Sequence, residues 1–150
     1  MIIPLEAEAG ELSGSINVIA DDTAFQGGYI VSDSANSGAV RYNVNIPSTG
    51  EYVIWCRVWA GTGPDRGNHD SVFVRVNGIE DVYDVAEGKW ADKWQWTAIN
   101  GRAGSSPATL NPRIFELTQG EQVIEIRGRE AGTIIDSIII TNDRNFVPTE

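Results

Sequence analysis

Short apolar runs recur along this chain, and residues that favour turns separate them. The clearest run is VRYNVNI at residues 40–46, where apolar and polar residues alternate and predict a half-buried strand. Its inward-facing positions are Val40, Tyr42, Val44 and Ile46. Residues 52–60 are apolar at both parities, so we expect a central strand whose second face is also covered. Other strands are expected at residues 15–20, 71–77, 82–85, 113–117, 122–127 and 133–141.

The turn residues between these runs indicate an all-β protein. The chain has 16 glycines and 6 prolines, and no segment shows a helix-length amphipathic pattern. About eight to ten short strands bounded by turn residues are typical of two sheets packed face to face. A chain of 150 residues is long enough to bury one hydrophobic core. We therefore expect a single domain over residues 1–150, folded as a two-sheet β-sandwich with its core within residues 5–143.

Charge and cysteine content exclude several functions. The chain has 11 basic and 21 acidic residues and a net charge of −10, which argues against a nucleic-acid partner bound through a basic face. Cys56 is the only cysteine, so no intrachain disulfide forms and we expect a small buried side chain. The N-terminal MIIPLEAEAG has neither the basic region of a signal peptide nor the length of a membrane span, and we expect no membrane partner.

Three carboxylates suggest a metal site. Asp136 interrupts the apolar run TIIDSIIIT, where an unpaired charge would cost several kcal/mol. In LEAEA, period-2 alternation places Glu6 and Glu8 on one face of a strand. Oxygen ligands suit a hard cation, and Ca²⁺ accepts six to eight of them, so we expect Ca²⁺ to tie the first strand to the last. The alternative is that both glutamates face solvent and Asp136 pairs with an arginine.

Several motifs occur in one order along the chain: EAE, a glycine pair at residues 27 and 28, AVRYNVNIPSTGEYVIWCRV, a tryptophan cluster, LTQGEQVIEI and IIDSIIIT. Over about residues 5–143 they resemble the calcium-containing β-jelly-roll carbohydrate-binding modules of families 6 and 35. The residues that match the structural calcium site of those families are Glu6, Glu8 and Asp136. The resemblance also implies a non-catalytic module of a larger secreted, extracellular protein. Such a module binds a polysaccharide or oligosaccharide and targets an attached polysaccharide-degrading enzyme to it.

The resemblance also indicates where saccharide binds. Family 6 modules hold a sugar between a tyrosine after the glycine pair and a late tryptophan, with an asparagine just before the late aspartate. Here Tyr29 directly follows the glycine pair, and Ile134 stands where the asparagine is expected, so the site departs from that pattern. The remaining candidates are the tryptophans Trp90 and Trp94, the loop residues His69 and Asp70, and Arg129 at a late turn.

Tryptophan suits saccharide because its flat apolar ring stacks on the CH face of a sugar. Trp90 lies in the polar segment KWADK, so we expect it to be exposed and available for stacking. Trp96 precedes the apolar run TAI and is expected to be core, whereas Trp94 is intermediate. The alternative is that these tryptophans only fill the sandwich.

Strand parity predicts a second candidate surface. Six side chains share the parity opposite the core-facing positions: Trp55, Arg57, Trp59, Phe73, Arg75 and Arg127. If their strands are neighbours, they form an arginine-and-aromatic stripe on one sheet, with Arg57 and Trp59 in contact with ligand. Arginine recognises carboxylate and sulfate through paired hydrogen bonds, so such a stripe favours an acidic polysaccharide. The alternative is a set of solvated arginines paired with acidic residues.

No motif indicates catalysis. His69 is the only histidine and lies beside Asp70, but a nucleophile-and-base system needs a third member and no GxSxG motif is present. The acidic residues in apolar settings are better explained as metal ligands than as a glycosidase pair. We therefore expect a binding module. A small polysaccharide hydrolase or lyase and a cell-surface adhesion domain of the same fold are the alternatives.

Overall fold

The computed structural model describes residues 1–102 and 110–149. Within them lie 12 strands and three short 3₁₀ turns. The strands are β1 (Ile2–Glu6), β2 (Glu11–Ser13), β3 (Ile16–Ala20), β4 (Gly28–Ser32), β5 (Ala39–Ile46), β6 (Gly50–Trp59), β7 (Ser71–Val76), β8 (Ile79–Asp84), β9 (Trp94–Ala98), β10 (Phe115–Leu117), β11 (Gly120–Gly128) and β12 (Ile134–Thr141). The turns are Ala7–Ala9, Phe25–Gly27 and Arg66–Asn68.

The strands form two antiparallel sheets, which confirms the prediction of an all-β, two-sheet sandwich. The larger sheet has seven strands in the order β10-β6-β12-β4-β3, with β1 also paired to β12 and β9 also paired to β6. The smaller sheet has five strands in the order β2-β5-β11-β7-β8. In the described residues no helix is long and apolar enough to cross a membrane.

The core lies between the sheets and follows the alternation of the sequence. On β5, and on β7 from Val72 onward, every second side chain is buried and the intervening ones are more exposed, because successive strand residues face opposite sides of a sheet. On β6, residues of both parities are buried, as the apolar run at residues 52–60 predicts. The buried members of these three strands include Val40, Tyr42, Val44, Ile46, Tyr52, Ile54, Cys56, Val58, Val72, Val74 and Val76.

The two ends of the chain meet in the larger sheet. Strand β1 pairs antiparallel with β12, and the register joins Ile2 to Thr141 and Glu6 to Ser137. On its other side β12 pairs with β6, and the register shifts between Ile135 and Ser137. Asp136 therefore lies at an irregularity of the β-bulge type, which re-aims its side chain relative to its neighbours.

Some sequence predictions were wrong. Glu8 is not on a strand, because β1 ends at Glu6 and the chain turns through Ala7–Ala9. Strands β2, β4 and β9 were not predicted, since each is short or lies among glycines or aromatic residues that resemble a loop. Of the irregular stretch predicted at residues 100–112, residues 103–109 lie outside the described residues.

The predicted arginine-and-aromatic stripe does not form. Trp55, Arg57 and Trp59 are on β6 of the larger sheet, whereas Phe73, Arg75 and Arg127 are on β7 and β11 of the smaller one. Arg75 and Arg127 are instead paired with Glu80, at 3.6 Å from Arg75 Nη2 and 2.6 Å from Arg127 Nη2. Strand parity identifies which side of a sheet a residue faces, but not which sheet it belongs to.

Candidate metal centre and binding cleft

The three predicted carboxylates converge at one point. Glu6 ends β1, Glu8 lies in the following 3₁₀ turn, and Asp136 lies at the irregularity of β12. Each offers an oxygen, and these three oxygens lie within 4.8 Å of one another. The strand end and the turn bring the glutamates together, rather than the strand alternation that the sequence predicts.

Asp136 is also paired with an arginine. Its Oδ2 accepts a hydrogen bond from Arg57 Nη1 at 2.6 Å and from the backbone N–H of Phe25 at 2.9 Å. The Arg57 guanidinium donates a further bond to the carbonyl of Thr23 at 3.3 Å and lies 3.8 Å from the centroid of the Phe25 ring. Arg57 is buried in these contacts, so the prediction that it contacts ligand is wrong. The arginine pair and the carboxylate cluster, which the sequence presents as alternatives, occur together.

The cluster carries uncompensated negative charge. Burial, followed by the charges of Glu8 and Asp136, raises the pKa of Glu6 from 4.5 to about 6. Burial also raises the pKa of Glu8. In the described part of the chain, Glu6 Oε2 and Glu8 Oε2 are buried and accept no hydrogen bond. Three carboxylates and one guanidinium sum to a charge of −2, so an oxygen-only site of this charge fits a hard divalent cation such as Ca²⁺.

Tyr29 and Trp94, two of the residues predicted to bind ligand, are in contact with each other. Their ring centroids are 5.8 Å apart and the rings meet edge to face. A sugar held between two aromatic rings needs about 7 to 8 Å between them, twice the van der Waals separation of carbon atoms. Trp94 is also buried and donates its Nε1–H to Thr23 Oγ1 at 2.9 Å. These two residues therefore leave no space for a sugar between them.

An open cleft of about 420 Å³ lies next to this aromatic pair. Trp59, whose ring meets Trp94 at 5.5 Å, forms one wall, and its register partner Ile134 lies beside it. The loop after β6 and the turn before β12 form the rest of the wall: Gly61, Gly63, Pro64, Asp65, Arg66, His69 and Gly132. Its volume lies within the range of small-molecule sites, about 300 to 1,000 Å³.

Trp90 lies behind the cleft rather than on the surface. It is partly buried against the core, and its Nε1–H donates to Asp70 Oδ2 at 3.2 Å. The expectation that Trp90 is exposed is therefore wrong, because the polar residues around it do not keep its ring in solvent. Trp96 is partly rather than fully buried, on the outer side of β9 opposite Arg57.

The structure thus divides the predicted ligand-binding residues into three groups. Trp59 and His69 line the cleft. Asp70, Trp90 and Arg129 lie behind it. Trp90 donates a hydrogen bond to Asp70, Arg129 donates one to Ser71, and Asp70 and Ser71 both donate to Glu130. The third group comprises Tyr29, Arg57 and Trp94 on the outer face of the larger sheet.

Sequence reasoning missed Arg66. In the part of the chain that the structure describes, Arg66 makes no ion pair, whereas seven other arginines do. Its guanidinium lies 5.0 Å from the centroid of the Trp90 ring, a cation–π contact that leaves its hydrogen bonds available. The only sequence signal is its place in the loop GTGPDRGNH, which is too irregular to place a side chain.

Comparison with solved structures identifies the fold. The native family 35 carbohydrate-binding module from Clostridium thermocellum is 19% identical with a TM-score of 0.67, over 95% of this chain and 99% of that module. The chain has the β-sandwich fold of a carbohydrate-binding module. The C-terminal family 6 module of the laminarinase LamC from Zobellia galactanivorans also has this fold, at 17% identity and a TM-score of 0.66, over 95% of this chain and 100% of that one.

The same module fold occurs within a longer enzyme chain. The GH26-CBM35 β-(1,4)-mannanase of Podospora anserina is 19% identical with a TM-score of 0.67, over 98% of this chain but only 29% of the mannanase. No protein-family model and no curated protein sequence matches the chain. At these identities the likeness establishes the carbohydrate-binding-module fold, and function has to be argued from the site.

Proposed function

We propose that this chain is a non-catalytic carbohydrate-binding module whose saccharide site is the Trp59 cleft. The observation that carries the proposal is an open cleft of about 420 Å³, walled by a tryptophan, on a fold shared with family 35 and family 6 modules. A tryptophan wall suits the CH face of a sugar, and the polar groups of Asp65 and His69 are placed to hydrogen-bond its hydroxyls.

The ligand proposed for this cleft is an acidic saccharide. Arg66 lines the cleft and, within the described residues, makes no ion pair with a carboxylate, in a chain of net charge −10. A guanidinium forms paired hydrogen bonds with carboxylate or sulfate. This argument replaces the one from the arginine stripe, which the fold does not form.

The metal centre is proposed to be a structural Ca²⁺ site. Glu6, Glu8 and Asp136 would hold the ion, which supplies the positive charge that the cluster lacks. Glu6 and Asp136 lie on paired strands from the two ends of the chain, so holding them at one ion strengthens the closure of the larger sheet. Arg57 keeps Asp136 oriented from the side of β6.

Among the described residues that line the cleft, one carboxyl-bearing residue, Asp65, is present, and this favours binding rather than hydrolysis because a glycosidase needs two. A glycosidase places two carboxyl groups about 5 to 9 Å apart, on either side of the scissile bond. Asp70 and Glu130 instead hydrogen-bond to each other behind the cleft. They therefore have no room for a glycosidic bond between them.

An attached enzyme and secretion are the remaining parts of the proposal. The same fold forms 29% of the Podospora anserina mannanase chain, so it occurs beside a catalytic domain. A module tethered in this way raises the local concentration of substrate for its enzyme. A secreted, extracellular location is part of the same proposal, for a module whose enzyme degrades polysaccharide outside the cell.

Affinity gel electrophoresis combined with an assay of released sugars tests the function. The purified chain is run through gels containing mannan, laminarin or polygalacturonate and is incubated with each polysaccharide in parallel. We expect retardation in polygalacturonate without released reducing sugar. Released sugar would establish an enzyme instead, and the absence of both retardation and release would favour an adhesion domain.

A further inference from the structure

The two walls of the cleft are joined by a hydrogen-bond network behind it. The backbone N–H of Asp70 donates to Glu130 Oε1 at 3.3 Å, and Ser71 Oγ donates to the same oxygen. The backbone N–H of Glu130 donates to the Ser71 carbonyl at 3.4 Å, and His69 Nδ1 lies 2.7 Å from the Ala131 carbonyl. The loop after β6 and the turn before β12 therefore meet at Asp70 and Glu130.

The same network reaches the surface of the cleft through Trp90. Asp70 Oδ2 accepts the Nε1–H at the edge of the Trp90 indole, and the guanidinium of Arg66 lies over the face of that ring. From the opposite wall, Arg129 Nη1 donates to Ser71 Oγ at 2.6 Å, and Ser71 is completely buried. A change in the position of Asp70 would therefore move Trp90 and, through it, Arg66 in the cleft.

The backbone N–H of Asp70 donates to Glu130 Oε1 at 3.3 Å, which brings the two acidic side chains together, and a hydrogen bond between their carboxyls is attractive only when one of them carries a proton. Burial, followed by the hydrogen bond and charge of Glu130, raises the pKa of Asp70 from 3.8 to about 6. The other charged or titratable groups facing this pair are His69 and Arg66 on the loop, Asp84 on β8, Arg102 after β9 and Arg129 on the turn. Asp84 and Arg102 are 2.8 Å apart and compensate each other.

We propose that Asp70 and Glu130 are positioning residues that share one proton and thereby hold the two walls of the cleft together. The consequence for saccharide binding depends on the function proposed above. The folded-state pKa of Asp70 is raised, so the stabilisation is complete below about pH 4 and is lost as the pH rises through about 6. At neutral and higher pH the two carboxylates repel each other, and the loop that carries Arg66 loosens.

Hydrogen exchange and NMR of the whole chain test this proposal without any saccharide. Protection factors, corrected for intrinsic exchange, are measured from pH 4 to pH 8 for amides of residues 66–71 and 129–133. The side-chain carboxyl carbons of Asp70 and Glu130 are titrated in parallel. We expect protection to fall by roughly 10- to 100-fold with rising pH, the effect of losing one hydrogen bond that involves a charged group.

Substitutions at Asp70 separate proton sharing from simple packing. In Asp70→Asn the amide donates to Glu130 at every pH, so we expect protection at pH 8 to equal that of the wild type at pH 4. Asp70→Ala removes the donor, and protection should be low throughout the range. Glu121→Gln, the same kind of charge removal at an exposed position of β11, should leave the pH profile unchanged.

Two results would overturn the proposal. One is an Asp70 titration midpoint near the ordinary value of 3.8, and the other is loop protection in the wild type that does not change with pH. Gel retardation of the same variants in polygalacturonate then tests the link to binding. If the pH-dependent protection occurs but no polysaccharide retards the chain at any pH, the proposed function fails and the shared proton stands.

Discussion

Arg57 and Asp136 form an ion pair of 2.6 Å that is almost completely buried, with side chains 6% and 0% exposed. Arg57 reaches Asp136 from β6, and Glu6 and Glu8 reach it from the other end of the chain. One guanidinium therefore compensates one of three carboxylates. The remaining charge of −2 underlies the proposal of a divalent cation at this point.

Removal of calcium should destabilise the protein. An ion that binds only the folded state stabilises it by about 2.7 kcal/mol when its free concentration is 100 times Kd. For a chain of this size that corresponds to a decrease of about 5 to 10 °C in Tm after chelation with EDTA. Differential scanning calorimetry with and without added Ca²⁺ measures the shift. An unchanged Tm in metal-free protein would contradict the calcium site.

Substitution of one ligand distinguishes the cluster from other acidic groups. Glu6→Gln should abolish the response of Tm to Ca²⁺. It should also raise the Tm of the metal-free protein, because like-charge repulsion within the cluster falls. Glu11→Gln, at an exposed position of β2, is the matched control and should keep the full response. Equal responses in the two variants would place the ion elsewhere.

Loss of the buried arginine should be costly. Arg57→Met leaves Asp136 beside two other carboxylates without its cationic partner, so we expect the free energy of unfolding to fall by about 3 to 5 kcal/mol. Arg75→Met, at a side chain that is 47% exposed, should cost less than about 1 kcal/mol. Urea unfolding at neutral pH in excess Ca²⁺ measures both. A loss below about 1 kcal/mol in Arg57→Met would show that the pair is dispensable.

The position of the saccharide site can be tested with two tryptophans. Trp59→Ala removes the wall of the cleft, so affinity should fall by about 1 to 2 kcal/mol, roughly 5- to 30-fold. Trp96→Ala removes a ring of similar size from the outer side of β9 and should leave retention unchanged. Affinity gels, with thermal melting to confirm folding, provide the measurement. The reverse pattern would move the site to the face of the larger sheet.

Arg66 should determine preference for acidic saccharide. Arg66→Gln removes a charge-assisted hydrogen bond, so retention in polygalacturonate should fall roughly tenfold while retention by any neutral glycan stays the same. The wild-type affinity for polygalacturonate should also weaken with added salt. Arg75→Gln removes the same charge from the smaller sheet and serves as the control. An equal loss in both variants would indicate general electrostatic attraction rather than a contact in the cleft.

Individual elements differ in how far the sequence predicts them. The alternation of residues 40–46 predicts β5 and its buried face, because one side of a half-buried strand must be apolar. Buried and less buried residues also alternate along β4, GYIVS. Five residues that begin in a glycine pair are too few for the two-residue period of a strand to be recognised in the sequence. The resemblance points to Tyr29 as one of two rings that hold a sugar, whereas its ring is in contact with that of Trp94.

The sequence by itself determined the all-β class, the inward faces of the long strands and the three carboxylates of the candidate metal centre. These follow from local physics, namely the two-residue period of a strand and the cost of burying an unpaired charge. Only the tertiary structure decided that Trp59 lines the cleft while Trp90 and Arg57 do not, and that the predicted stripe divides between two sheets. The exposure of a side chain depends on which distant segment packs against it, and that information is absent from the spacing of residues along a strand.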